Sequence, residues 1–319
     1  MQKYRHSVIC TILLVLVCAA CSSSPNTSQK PASTLPATAN PVTTTPTKVA
    51  TPVATATPAT IVTRYTSRVR LSGNYSPDDM AFDNQGNILF SDVKHGTINR
   101  LNSDNTVTQL VSGLAEPEGI IPLGDGSMIV SEQGTNRILS FSPGGHTPAV
   151  LRVLPGTNST ANCKAGIDSI ALDPTTQTII VPDSPTGNVY RLSLDGHKMT
   201  LLTSGLVRPV GAAVDAKGNV YLADECGGAV YKITPSGQKT RLGGFGMPDD
   251  VAFDLQGNLL VVDLLGSAHD LIRVNQATGK HDILASKGFI EPQGLLVDKN
   301  GHIFVSDDSA NLIMEYIPA

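Results

Sequence analysis

The sequence predicts an all-β fold, a six-bladed β-propeller of four-stranded blades with its sixth blade closed by an N-terminal strand. Two observations carry this reading. One phrase (apolar-x-apolar-Asp, a turn, Gly-Asn, an apolar run, Ser-Asp) recurs six times, from "PDDMAFDNQGNILFSDVKHGTINRLN" at Pro77 to "PQGLLVDKNGHIFVSDDSANLIMEYIPA" at Pro292. The copies start at Pro77, Pro117, Gly166, Pro209, Pro248 and Pro292, about 40 to 50 residues apart, which is the period of a propeller blade. The second is that the last copy stops at Ala319 one strand short, while an unmatched strand, "IVTRYTSRVRLSG", precedes the first copy. Residues 61–72 are therefore expected to complete the sixth blade and leave no open edge.

Within the first copy the expected strands are Met80 to Asp83, Asn87 to Asp92, Thr97 to Leu101 and Thr106 to Val111. The turns between them are rich in Asn, Gly and Asp, which supply the positive-φ positions of tight hairpins. The absence of tryptophan, with 29 glycines, 21 prolines and only 16% charged residues in 319, suits short strands and turns better than helices.

The N-terminal part reads differently. Lys3 and Arg5 precede the apolar run "VICTILLVLVCAA", which is shorter than the roughly 20 residues a spanning helix needs and reads as an export signal over 1–20. Its end, Cys18-Ala19-Ala20-Cys21, resembles the bacterial lipobox, although Cys18 stands where leucine is usual. That resemblance implies lipidation of Cys21 and an exported, membrane-anchored protein. Residues 21–60, built from Thr, Pro, Ala and Ser, have almost nothing to bury and read as a disordered tether. The propeller then occupies 61–319. Four of the 23 basic residues (Lys3, Arg5, Lys30, Lys48) and no acidic one precede residue 61, so the domain carries 19 basic against 27 acidic residues. This excess argues against nucleic acid as a partner.

Aligning the copies exposes two columns at the start of the inner strands. The residue after the leading proline is Asp78, Glu118, Ile167, Val210, Asp249 and Gln293, and the next is Asp79, Gly119, Asp168, Gly211, Asp250 and Gly294. Aspartate thus alternates with glycine around the ring. Carboxylates converging on one opening repel one another, and three readings stay open: they hold a cation, some carry raised pKa values, or they bond backbone amides of the turns. All-oxygen ligands would suit Ca2+ or Mg2+. The aspartates ending the second strands (Asp92, Asp183, Asp224, Asp263, Asp307) are expected to bond backbone amides in the loop between strands two and three, with Glu132 in their place in the second copy.

These repeats resemble NHL-type six-bladed propellers and the senescence-marker-protein/gluconolactonase and paraoxonase families, over residues 61–319. The resemblance implies a divalent cation at the mouth of the central channel, held by Glu, Asn and Asp side chains of the first column, with an Asp as base. Asp249 and Glu118 match that pattern as candidate catalytic residues, and Asp78, Asp79, Glu118, Asp168, Asp249 and Asp250 are the candidate metal ligands. Ile167 and Val210 depart from it, and no copy carries the asparagine. Gln293, His95, His269 and Glu132 are candidate ligand-binding residues on the same face. "IVSEQGTNRI" also resembles a phrase of streptogramin lyases, for which His95 or His269 would serve as base. Cys163 and Cys226 lie in loops of that face and are candidates for one disulfide.

The sequence holds no phosphate loop, no Gly-x-Ser-x-Gly elbow and no His-Glu-x-x-His helix, so no nucleotide or organic cofactor is expected. The first expectation is a monomeric, lipid-anchored module that binds a small molecule or a protein on its upper face. A Ca2+-dependent lactonase or arylesterase is the second, and a lyase the third.

Overall fold

The computed structural model describes residues 64–159, 161, 163–265 and 270–319. The expected signal segment, the tether, Cys21 and His269 lie outside the described residues. Among the described residues the chain forms 24 strands, from β1 (Tyr65–Ser72) to β24 (Leu312–Pro318), in six antiparallel four-stranded sheets. Each sheet is one blade. Five run inner to outer in chain order, and the sixth has the order β1-β24-β23-β22, with β22 at Pro292–Val297 and β23 at Ile303–Asp307.

The seam is an antiparallel pairing that runs from Tyr65 opposite Pro318 to Ser72 opposite Leu312, with one register shift between Val69 and Leu71. Arg68 Nε donates to Glu315 Oε2 at 2.6 Å, and His302 Nδ1 lies 2.8 Å from Glu315 Oε1. The N-terminal strand thus closes the ring.

The turns form because aspartate side chains bond the backbone they have just left. Asp83 Oδ1 accepts from the amides of Gln85 (2.9 Å) and Asn87 (2.8 Å), while Asn87 Nδ2 donates to Asp83 Oδ2. Gly86 takes φ +82° inside this loop, a conformation that costs glycine little. The same arrangement recurs at Asp215–Asn219 and Asp254–Asn258.

Each second strand is buried on both faces, so it reads as an unbroken apolar run rather than an alternating one. In blade one Ile88 and Phe90 join a core cluster shared with Phe304 and Ile313 of blade six, whereas Leu89 joins one shared with Val130 and Leu139 of blade two. Six such clusters, each straddling two neighbouring blades, make up the core. Two-residue periodicity sends successive side chains to opposite neighbours, and the ring is held by what lies between blades.

The inner strands differ most from expectation. In blade one the inner strand begins at Pro77, three residues earlier than the sequence pattern implies, and in blade three it shortens to Ala171–Asp173. The other five inner strands share a register shift directly after the leading proline. Pro77 faces Asp92 and Met80 faces Phe90, so Asp78 and Asp79 together oppose the single residue Ser91. This is a β-bulge, a device that re-aims side chains, and it falls on the two columns singled out in the repeats.

Candidate functional site

Serines of the recurrent Ser-Asp and Ser-Glu phrases stabilise the bulges. The Asp79 amide donates to Ser91 Oγ at 3.0 Å, the Gly294 amide donates to Ser306 Oγ at 2.9 Å, and Ser131 Oγ donates to the Asp168 carbonyl at 2.5 Å. Ser306 Oγ also donates to the Asp78 carbonyl of the next blade. Each of these hydroxyls is fully buried, so the hydrogen bonds it makes replace those it would have made with water.

The bulges explain the alternation of aspartate and glycine. An added Cβ would lie 2.5 Å from the Asp78 carbonyl oxygen at Gly294, 2.6 Å from Asp250 Cα at Gly211 and 2.5 Å from the Ile170 nitrogen at Gly119. Each aspartate-bearing blade therefore presses its backbone against a neighbour that can carry no side chain there. Asp79 and Asp250 fold back into hydrogen bonds. Asp79 Oδ1 accepts from the Met80 amide at 2.6 Å, its Oδ2 accepts from Ser169 Oγ at 2.7 Å, and the Ile120 amide of the next blade also bonds this carboxylate. Asp250 likewise accepts from the amides of Val251 (2.7 Å) and Leu295 (2.8 Å). Of the three alternating aspartates, these two are ties between blades, and neither lines the mouth cavity.

Asp168 behaves differently because its strand has lost regular pairing. Its carboxylate turns into the mouth, where Arg208 Nη2 donates to Oδ2 at 3.0 Å. There it meets Asp78 and Glu118, and one oxygen from each of the three side chains lies within 4.8 Å of the other two. These three residues, with Asp249, Gln293, Gln133, Arg208 and Glu225, line a cavity of about 370 Å³ at the channel mouth. Arg208 also pairs with Glu225.

The charge imbalance shapes the protonation of the cluster. Burial pushes Asp78 well above the usual carboxylate range, against a hydrogen bond from Glu118. Burial raises Glu118 in the same way, and the charges of Asp78 and Asp168 add to it. Glu118 Oε2 is buried without a hydrogen-bond partner. Asp249 is raised by burial and by the charges of Asp168 and Asp78. For Asp168 burial also raises the pKa, with Arg208 opposing.

Raised carboxyls give a pH dependence opposite to that of a salt-bridged acid. A folded pKa above the unfolded one contributes stability that is present below about pH 4 and lost as pH rises through the folded value. Burial pushes Asp79 up to about 6, and a group moved that far from its ordinary value near 3.8 costs about 3 kcal/mol once ionised. In EDTA the protein is thus expected to melt at a higher temperature at pH 5 than at pH 8. A melting temperature that climbs over this interval would show that the buried carboxylates are compensated in solution.

The remaining candidates lie elsewhere. His95 Nδ1 sits 2.8 Å from Asp92 Oδ1 in the loop between the second and third strands of blade one, away from the cavity lining. Glu132 accepts from the Ala115 amide (3.0 Å), Arg137 Nε (2.5 Å) and Thr135 Oγ1, so its side chain is committed to loop structure. It does what the second-strand aspartates do. Those aspartates reach beyond their own loop to the segment entering the blade: Asp224 bonds the amides of Val207 and Arg208, Asp263 those of Gly246 and Met247, and Asp307 those of Ile290 and Glu291.

A disulfide joins Cys163 to Cys226, with 6.4 Å between Cα atoms. It ties the loop entering blade three to the short 3-10 turn Glu225–Gly227, which carries the partner of Arg208. Sequence columns centred on the proline missed Arg208 and Glu225. Arg208 stands one place before the proline, where other copies have Ser76, Glu116, Ala165, Met247 and Glu291. Reading that neighbouring column would have shown one cation among small, apolar and acidic residues.

Fold and site together define the class: an all-β, six-bladed propeller with an acidic, arginine-bridged channel mouth. No protein-family profile and no curated protein matches the chain. Solved structures do resemble it. A streptogramin B lyase superposes with a TM-score of 0.62 at 14% identity, over 81% of this chain and 99% of that one. A gluconolactonase from Xanthomonas campestris gives 0.64 at 15% identity, over 80% and 90%. A PQQ-bound aldose sugar dehydrogenase from Streptomyces coelicolor gives 0.63 at 13%, over 80% and 98%. Three chemistries on one scaffold at such identities establish the fold, and function has to be argued from the mouth.

Proposed function

We propose that the channel mouth binds a small ligand around a divalent cation held by Asp78, Glu118 and Asp168, in a domain displayed outside the cytoplasm and anchored through Cys21. The observation that carries this is the meeting of three buried carboxylates from three blades, with Glu118 Oε2 lacking any partner. A Ca2+–oxygen distance of about 2.3–2.6 Å lets one ion reach oxygens that lie 4.8 Å apart or less, and the all-oxygen donor set suits a hard cation such as Ca2+ or Mg2+. A bound cation would also offset the like-charge repulsion that raises these groups. The Cys163–Cys226 bridge fits an oxidising compartment.

A second reading is hydrolysis of a lactone or aryl ester, favoured by Asp249, a buried carboxyl on the cavity wall with a raised pKa. A cation there would supply Lewis-acid polarisation of a carbonyl. Asp249 would take a proton from water, and Arg208 would orient Asp168.

Millimolar Ca2+ is expected to raise the melting temperature by several degrees, and Glu118→Gln to abolish that rise. No rise in the parent protein would sink the cation reading. Assays of γ-lactones and aryl esters with and without EDTA separate the two readings: turnover that EDTA removes and that Asp249→Asn eliminates indicates the hydrolase, and no turnover indicates binding alone.

A further inference from the structure

The wall of the mouth is chemically two-sided. Blades one to three contribute Asp78, Glu118 and Asp168, whereas blade five adds Met247, Leu264 and Leu265 beside its Asp249. Three columns of the repeat meet this rim. At the column before the proline Met247 replaces the Ser, Glu, Ala or Arg of other copies, and at the two positions after the second-strand acid Leu264 and Leu265 replace pairs such as Gln133-Gly134, Ser184-Pro185 and Asp308-Ser309. Only in blade five are all three apolar. Leu265 is 63% exposed, a large side chain facing solvent at the edge of a charged opening.

We propose that the mouth accepts a small primary amine with an apolar substituent. Its ammonium would sit among Asp78, Glu118 and Asp168, and its hydrocarbon part would lie against Met247, Leu264 and Leu265. This rests on the reading of the carboxylate cluster as a cation site and assigns that site an organic cation as an alternative occupant to the divalent ion. A primary ammonium has three N–H donors, one for each carboxylate. Glu118 Oε2, buried and unpartnered, supplies an acceptor that no protein donor satisfies. The cavity of about 370 Å³ falls within the size range of small-molecule pockets. Charge complementarity selects an amine over an acid, since Arg208 is already held by Asp168 and Glu225. The amine and a divalent cation would use the same oxygens and exclude each other.

Calorimetric titration at pH 7, on protein freed of divalent metal and in chelator-free buffer, with methylammonium, hexylammonium and hexanoate tests this, with Ca2+ titrated into parallel samples of the same protein. Each buried methylene is worth about fourfold in affinity, so hexylammonium is expected to bind about 50-fold more tightly than methylammonium if roughly three methylenes reach the wall. Hexanoate should not bind, and Ca2+ should displace hexylammonium. Leu265→Ser, an exposed change that spares the core, is expected to cut the hexyl-to-methyl ratio below about tenfold. Equal affinity for the two amines, equal binding of hexanoate, an unaltered ratio in Leu265→Ser, or simultaneous binding of Ca2+ and hexylammonium would each overturn the proposal. If Ca2+ binds and the amines do not, this inference alone fails; if neither binds, the cation reading fails with it.

Discussion

A chain that begins at Gly73 is expected to lose cooperative unfolding. The deletion removes β1 and with it the pairing of Tyr65–Ser72 against Leu312–Pro318. It exposes the β24 edge and takes Leu71, 6% exposed, out of the cluster formed with Met80, Phe90, Phe304 and Ile313. It also removes Arg68 at 2.6 Å and Arg70 at 3.4 Å from Glu315, leaving His302 as the partner of that carboxylate. The lost strand pairing and packing are set against a typical domain stability of only about 5–15 kcal/mol. Urea unfolding of chains starting at Arg64 and at Gly73 checks this. Equal midpoints and slopes would show that the seam does not hold the ring.

Reduction of the Cys163–Cys226 bridge is expected to have the next largest effect, about 4 kcal/mol of stability by the loop-entropy argument, because the bridge closes a segment with a sequence separation of 63. Its consequence extends to the mouth. Cys226 follows Glu225, the partner of Arg208, and the other end lies five residues before Asp168. A Cys163→Ser, Cys226→Ser double variant should therefore melt earlier and also respond less to Ca2+. If its melting temperature matches that of the parent without reductant, the bridge does not contribute in solution.

The fold was legible because its signals repeat and are local. The Asp-to-Asn turn at Asp83–Asn87 is set by its own side chains, and the apolar run Ile88–Phe90 shows that both faces of that strand are covered. Closure of the sixth blade could be read by subtraction, from a strand short at Ala319 and a strand spare before Pro77. The inner strand of blade three was less legible, since Ile167 to Ser169 leave regular pairing where the entering loop is held by Asn136 and Asn158 instead.

The site was legible by column and obscured by geometry. Asp78, Glu118 and Asp249 line the mouth, as their column suggests, but strand alternation could not say where Asp79 and Asp250 point. The bulge sets two residues opposite one, and the backbone amides of Ile120 and Leu295 come from other blades. Asp168 enters the mouth although its column partners do not, which follows from the irregular backbone of blade three. Arg208 and Glu225 belong to loops, and only the folded ring brings them against Asp168.

The seam also has a mechanical consequence. Tyr65, the first residue of β1, is paired with Pro318 near the chain's end, so a pull on the N-terminus loads the hydrogen bonds one pair at a time from that end. Such a zipper yields at low force, whereas strands pulled along their length must break all their pairs together. Under tension from its N-terminal side the ring would open first at the strand that closes it.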